Sequence, residues 1–152
     1  MTKITPFLMF QGHAEKAMNT YISLIEDSER RVWFAMGQMN KGSVKHGVFS
    51  LNRQEFMCID SPVEHDFTFT PSFSMFLTCD TEAEINRFYQ ELARGREVLM
   101  PLGDYGFSQK FGWIVDQFGV SWQIDLSSSR SKTLEKAFFF FAEKWGPYFH
   151  RF

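Results

Sequence analysis

The order of elements along the chain predicts an α+β fold made of paired βαβββ modules. Three observations carry that prediction. An apolar run, an amphipathic stripe and three strand-like runs follow one another between residues 4 and 60, and the same succession returns between 72 and 126. A polar loop, Pro62-Val-Glu-His-Asp66, separates the two series. Identities also recur: an offset of 68 carries Tyr21 onto Tyr89 and Leu24 onto Leu92, and an offset of 65 carries Gly47 onto Gly112 and Ile59-Asp60 onto Ile124-Asp125.

In the first series, Ile4 to Phe10 is almost wholly apolar, as a buried strand is, and Gly12 breaks it. From Ala14, apolar residues at Ala17, Met18, Tyr21, Leu24 and Ile25 follow the i, i+3, i+4, i+7 stripe of a helix, which Asp27-Ser28 ends. Strands are expected over Arg31 to Met36, Val44 to Leu51 and Glu55 to Asp60, the last two joined by a tight turn at Asn52-Arg53. The second series opens with a strand from Ser72 to Thr78. Thr81-Glu-Ala-Glu84 has capping-box spacing, and Asp80 offers an alternative cap. Ile85, Phe88, Tyr89 and Leu92 make the helical stripe, with Gly95 where a C′ glycine belongs. Glu97 to Leu102, Phe107 to Val115 and Val120 to Leu126 complete the module, the turn Asp116-Gln-Phe-Gly119 joining the last pair. One domain over 1–126 results, with modules at about 3–61 and 71–126. A polar linker from Ser127 to Ser131 then leads into a tail over 127–152, with an aromatic helix expected from Lys132 to Trp145.

Composition limits the function. Of the 152 residues, 44% are apolar and 22% charged, the balance of an ordinary globular protein. A net charge of −2 excludes a nucleic-acid footprint built on bulk positive charge. No apolar run approaches the roughly 20 residues that span a bilayer, and the start, Met1-Thr-Lys-Ile-Thr-Pro, lacks the pattern of a signal peptide, so no membrane partner is expected. Two cysteines are too few for a disulfide framework, so a cytoplasmic location is expected. The 19 Phe and 4 Trp exceed what a monomer of this size hides, and a homodimer is the expected cover. Phe138, Phe141 and Trp145 of the tail are candidates to extend that contact.

Two stretches, Pro6-Phe-Leu-Met-Phe-Gln-Gly-His-Ala-Glu-Lys-Ala-Met-Asn-Thr-Tyr21 and Gly112-Trp-Ile-Val-Asp-Gln-Phe-Gly-Val-Ser-Trp-Gln-Ile124, together with Met100-Pro-Leu-Gly103, resemble the PhnB-like branch of the glyoxalase/bleomycin-resistance/dioxygenase (vicinal oxygen chelate) superfamily. The resemblance covers about residues 3 to 126. It implies curled sheets enclosing a cleft, and frequent homodimers. Some members of the branch carry a 3-demethylubiquinone 3-methyltransferase name, yet no glycine-rich strand-to-helix turn for a methyl donor stands in this chain. The superfamily's enzymes hold a divalent metal with His, Gln or Glu from the first and last strands of each module. The resemblance places Pro6, Cys58, Ser72 or Ser74, and Gln123 at those positions. Pro6 has no side-chain ligand and Ser is a poor one, so no metal and no other cofactor is expected.

What remains is an apolar cleft oriented by one amide. Gln123, with Phe7 or Met9 and Met57 or Cys58 opposite, has the usual make-up of a small-molecule pocket. The candidate ligand-binding residues are Phe7, Met9, His46, Cys58 and Gln123, for a small apolar or aromatic ligand. Trp122 and Gln123 point to opposite faces of one strand, so only one lines the cleft. His13 reads as a solvent-facing or cap-region residue, and His65 as a solvated loop residue, with a rim acid/base cluster with Asp60, Glu64 and Asp66 as the alternative. Cys58 and Cys79 read first as small buried hydrophobes. The readings that follow are a metal-independent binding protein, a metal-assisted lyase, isomerase or dioxygenase of the same superfamily, or a dimeric interaction protein.

Overall fold

The computed structural model describes residues 1–35, 43–95 and 97–126. The expected tail helix and the end of the strand expected to reach Met36 lie outside them. The chain divides between Thr68 and Phe69 into two compact units, and each carries one βαβββ module.

The first unit runs β1 (Phe7–Phe10), α1 (Ala14–Leu24), β2 (Glu29–Ala35), β3 (Val44–Leu51) and β4 (Gln54–Asp60). Its sheet has the order β1-β4-β3-β2, with β1 parallel to β4 and the other pairs antiparallel. β1 is shorter than its apolar run because Pro6 has no amide to donate, although its carbonyl still accepts from Met57 N at 2.9 Å. Gly12, at φ +85°, makes the turn into α1 that an L side chain resists. The helix lays Ala14, Ala17, Met18 and Tyr21 on β3 and β4. Beneath it lie Leu8, Phe10, Phe49, Phe56 and Cys58, with Phe49 and Phe56 stacked across β3 and β4 at 5.5 Å. The β3–β4 turn at Asn52 and Arg53 has positive φ at both residues (44° and 67°), the type I′ geometry that matches strand twist.

The second unit runs β5 (Ser74–Cys79), α2 (Glu82–Leu92), β6 (Glu97–Gly103), β7 (Phe111–Val115) and β8 (Ser121–Leu126), with sheet order β5-β8-β7-β6. Thr81 caps α2: its hydroxyl accepts from Glu84 N, and the Glu84 carboxylate accepts from the Asp80 and Thr81 amides. The capping box anticipated from spacing therefore forms, with Thr81 rather than Asp80 as the cap. Ile85, Phe88 and Leu92 pack on the sheet over Met75, Trp122, Ile124 and Ile114. Burying Phe88 alone is worth about 2–3 kcal/mol. Gly95 is not the left-handed C′ residue expected, since its φ is not positive. It allows the β7–β8 turn to approach, as a Cβ there would lie 2.3 Å from Asp116 C. β7 starts later than the expected Phe107, because Asp104 to Lys110 fold as a loop. Gly106 turns it at φ +83°, and its amide donates to Asp104 Oδ1 at 2.8 Å. Among the described residues, no helix is long and apolar enough to cross a membrane.

Strand pairing corrects one of the repeat's offsets. Gly47 pairs with Cys58 and Gly112 with Ile124, so the counterpart of Cys58 is Ile124, one residue beyond the position that an offset of 65 gives. The match of Ile59-Asp60 to Ile124-Asp125 is thus displaced by one residue, and the two aspartates lie on opposite faces of their sheets.

Candidate functional site

In the first unit, Leu8, Phe10, Phe56, Cys58 and Asp60 share the face under α1. The other face carries Phe7 and Met9 on β1, Met57 and Ile59 on β4, Val48 and His46 on β3, and Val32 and Phe34 on β2. Phe7 is 51% and Phe34 59% exposed, so this is an apolar surface in contact with solvent. Phe7, Met9 and His46 share this face.

Cys58 does not join them. The register Phe7↔Met57 and Leu8↔Cys58 turns its thiol inward, where it is fully buried and where a Cβ on Gly47 would meet its sulfur at 2.9 Å. Met57 takes the place assigned to Cys58. Burial pushes the Cys58 thiol up to about 12, with Asp60 adding to the shift, and burial pushes Cys79 up to about 12 as well. Burial therefore disfavours, at both positions, the thiolate that a nucleophile needs. A thiol-reactive dye at about pH 8 should therefore label neither cysteine in the native protein and both after denaturation; rapid native labelling of either would contradict this assignment.

The histidines take modest places. His13 is the N-cap residue of α1 and makes no side-chain cap hydrogen bond. His65 Nε2 lies 2.6 Å from Ser61 Oγ, and its ring stacks on Phe67 at 4.5 Å. Asp60 does not belong to a rim cluster with it. Its carboxylate is buried, accepting from Ala14 N at 3.0 Å and from Val44 N at 2.7 Å, and so ties the start of α1 to β3.

In the second unit, the face away from α2 has two zones. Over β6 and β7, Met100, Phe111 and Trp113 form a cluster against which Leu99, Tyr105 and Phe107 pack. Over β5 and β8 runs a polar strip of Ser74, Thr78, Ser121, Gln123 and Asp125, with Phe76 directly beside Gln123. An indole N–H only donates, so a directed chain follows. Trp113 Nε1 donates to Ser121 Oγ (2.8 Å), Ser121 and Ser74 share a hydrogen bond (2.7 Å), and Ser74 reaches Pro71 O (3.5 Å). These groups satisfy one another. The half-buried Gln123 amide, flanked by Phe76 on β5 and Trp113 on β7, makes no hydrogen bond among the described residues.

Asp125 lies two residues further along the same face and is 3% exposed; its Oδ1 has no hydrogen-bond partner. Desolvation raises its pKa, and a hydrogen bond with the Ser108 side chain pulls the other way. Because the folded value is the higher one, the folded state binds more protons than the unfolded one, and stability falls as pH rises through the window between them. Asp125→Asn should therefore raise Tm at neutral pH. The gain should shrink to nothing as pH approaches about 4, the ordinary aspartate value. Equal Tm for both proteins across that range would contradict this. The expected set omitted Asp125 and Phe76. Alternation from Gln123 leads to Asp125, whereas Phe76 needs the β5–β8 register.

The donors do not suit a divalent metal. Among the described residues no group of three His, Cys, Asp or Glu gathers, and beside Gln123 stand hydroxyls and an aromatic ring. Pro6 and Cys58 give nothing to either open face.

Comparison with known proteins places the chain. A family model described as 3-demethylubiquinone-9 3-methyltransferase matches residues 2–125. A PhnB protein from Bacillus cereus is 52% identical over 83% of this chain and all of its own, with a TM-score of 0.80. A protein from Pseudomonas aeruginosa is 25% identical over 84% of this chain and 98% of its own, at a TM-score of 0.70. The fosfomycin resistance protein FosX from Listeria monocytogenes, solved with Mn(II), shares the fold alone: 11% identity over 91% of this chain and 98% of its own, at 0.57. No curated protein matches the chain. With the glyoxalase-like order of elements in both units, these matches show that the chain belongs to the PhnB-like, 3-demethylubiquinone-9 3-methyltransferase family.

Proposed function

We propose that the protein binds a small, largely apolar molecule on the face of the second module that carries Gln123, and that it does so without a resident metal. The observation that supports this best is the unengaged Gln123 amide between Phe76 and Trp113: a polar group available to orient a ligand, set among rings that supply contact area. Methyl transfer is not part of the proposal: the turns into α1 and α2, Gln11-Gly-His13 and Asp80-Thr81, are not the glycine-rich strand-to-helix turn of a methyl-donor site.

A ligand screen read by tryptophan fluorescence tests the reading, with Gln123→Ala as the control. A bound compound should lose about tenfold in affinity in that variant and be unaffected by a chelator. Roughly one equivalent of Zn, Ni, Mn or Fe in protein purified without added metal, lost in Gln123→Ala, would overturn the metal-free reading.

The exposed face of the first module favours a second proposal, that two copies associate through it. Phe7, Val32 and Phe34 are exposed there together. Sedimentation equilibrium should give twice the chain mass, and Phe34→Glu should lower it. A monomer at high concentration would exclude this assembly.

A further inference from the structure

Two buried aspartates end strands in this protein, and they are treated differently. Asp60 accepts two backbone amides, whereas Asp125 holds an oxygen with no partner. Burying a carboxylate with one oxygen unsatisfied is costly, and asparagine would fill the same space without the charge. Three basic side chains among the described residues of this unit have other partners: Lys110 Nζ faces Glu82 at 3.8 Å, Arg94 pairs with Glu91 at 3.0 Å, and the Arg87 guanidinium lies over the Phe88 ring at 4.6 Å. Phe111 stands directly across from Asp125 on β7, and Phe76 and Trp113 flank Gln123 one step along the face. On the other side its partner on β5 is Thr78, an exposed residue, so the polar strip reaches solvent one strand away.

We propose that Asp125 is the anionic anchor for the protonated amine of an aromatic or apolar ligand, the Gln123 amide engaging a second polar group of the same molecule. This rests on the reading of that face as the ligand site. A cation gives the orphaned oxygen its partner and presents itself to the faces of the neighbouring rings. A carboxylate or phosphate would bring two anions into contact instead. Asp125 is thus a specificity-determining residue, and the instability of its unsatisfied Oδ1 is relieved when ligand binds.

The test uses a matched set of phenethylamine, 2-phenylethanol and phenylacetate at millimolar concentration, followed by NMR shifts of the Trp113 indole and Gln123 side-chain amide. At about pH 8 the amine should bind at least about tenfold more tightly than the alcohol, with phenylacetate weakest. That preference should vanish in Asp125→Asn, which still binds the alcohol. It should also fade in the unaltered protein as acid protonates Asp125, a readout that needs no variant to fold. Equal binding of amine and alcohol, or a preference that survives Asp125→Asn, would overturn the role of Asp125 and leave the ligand site standing. No shift of either reporter by any of the three would overturn both.

Discussion

Asp116→Ala should cost about 3–4 kcal/mol of stability and lower Tm by roughly 10 °C. The residue is 2% exposed in the turn between β7 and β8. Its Oδ1 accepts from Phe118 N at 2.8 Å and Val120 N at 3.0 Å, and its Oδ2 accepts from Trp122 Nε1 at 2.9 Å. Alanine strands all three donors in an interior where water does not replace the carboxylate. Asp116→Asn separates the contributions, because its remaining oxygen still serves the two amides while its NH₂ opposes the indole; an intermediate loss is expected. The consequence reaches the face that carries Gln123. Trp122 and Gln123 are neighbours on opposite sides of β8, and the Asp116–Trp122 bond holds the parity that points Gln123 outward. A thermal melt of Asp116→Ala within 1 °C of the parent protein would contradict this account.

Gly95→Ala should destabilise by about 3 kcal/mol, at the upper end of overpacking effects. The added Cβ would lie 2.3 Å from Asp116 C and Gln117 N and 2.6 Å from Asp116 Cα. These are backbone atoms of a turn held by the Asp116 carboxylate, so no rotamer change makes room. Gly12→Ala is the informative contrast. Nothing lies within 4 Å of its Cβ position, but φ is +85°, so the cost there is conformational and about 1 kcal/mol. Chemical denaturation of the two variants should rank Gly95→Ala well above Gly12→Ala. Because Gly95 and Asp116 meet at one corner, the double variant should lose less than the sum of the two single losses. Full additivity would show that the corner is not a single unit.

The sequence by itself determined the succession of elements in both modules, and the reasons are local. The apolar stripe from Ala14 to Leu24, the Thr81–Glu84 box, the turn at Asn52-Arg53 and the break at Gly12 each act within a few residues, and each stands where the pattern placed it. The resemblance carried by Pro6 to Tyr21 and Gly112 to Ile124 likewise named the family. Tertiary structure decided which side chains share a face. A strand's side chains alternate with a period of two, so a one-residue displacement in the repeat moved Cys58 from the expected cleft to the core and put Met57 in its place. The same parity gave two identical Ile-Asp pairs opposite fates, Asp60 bonded beneath α1 and Asp125 left with an unsatisfied Oδ1 beside Gln123. Gly95 is required by a turn more than twenty residues away in the chain rather than by its own backbone angle. Such contacts depend on hydrogen-bond register between strands distant in sequence, and no local propensity contains that register.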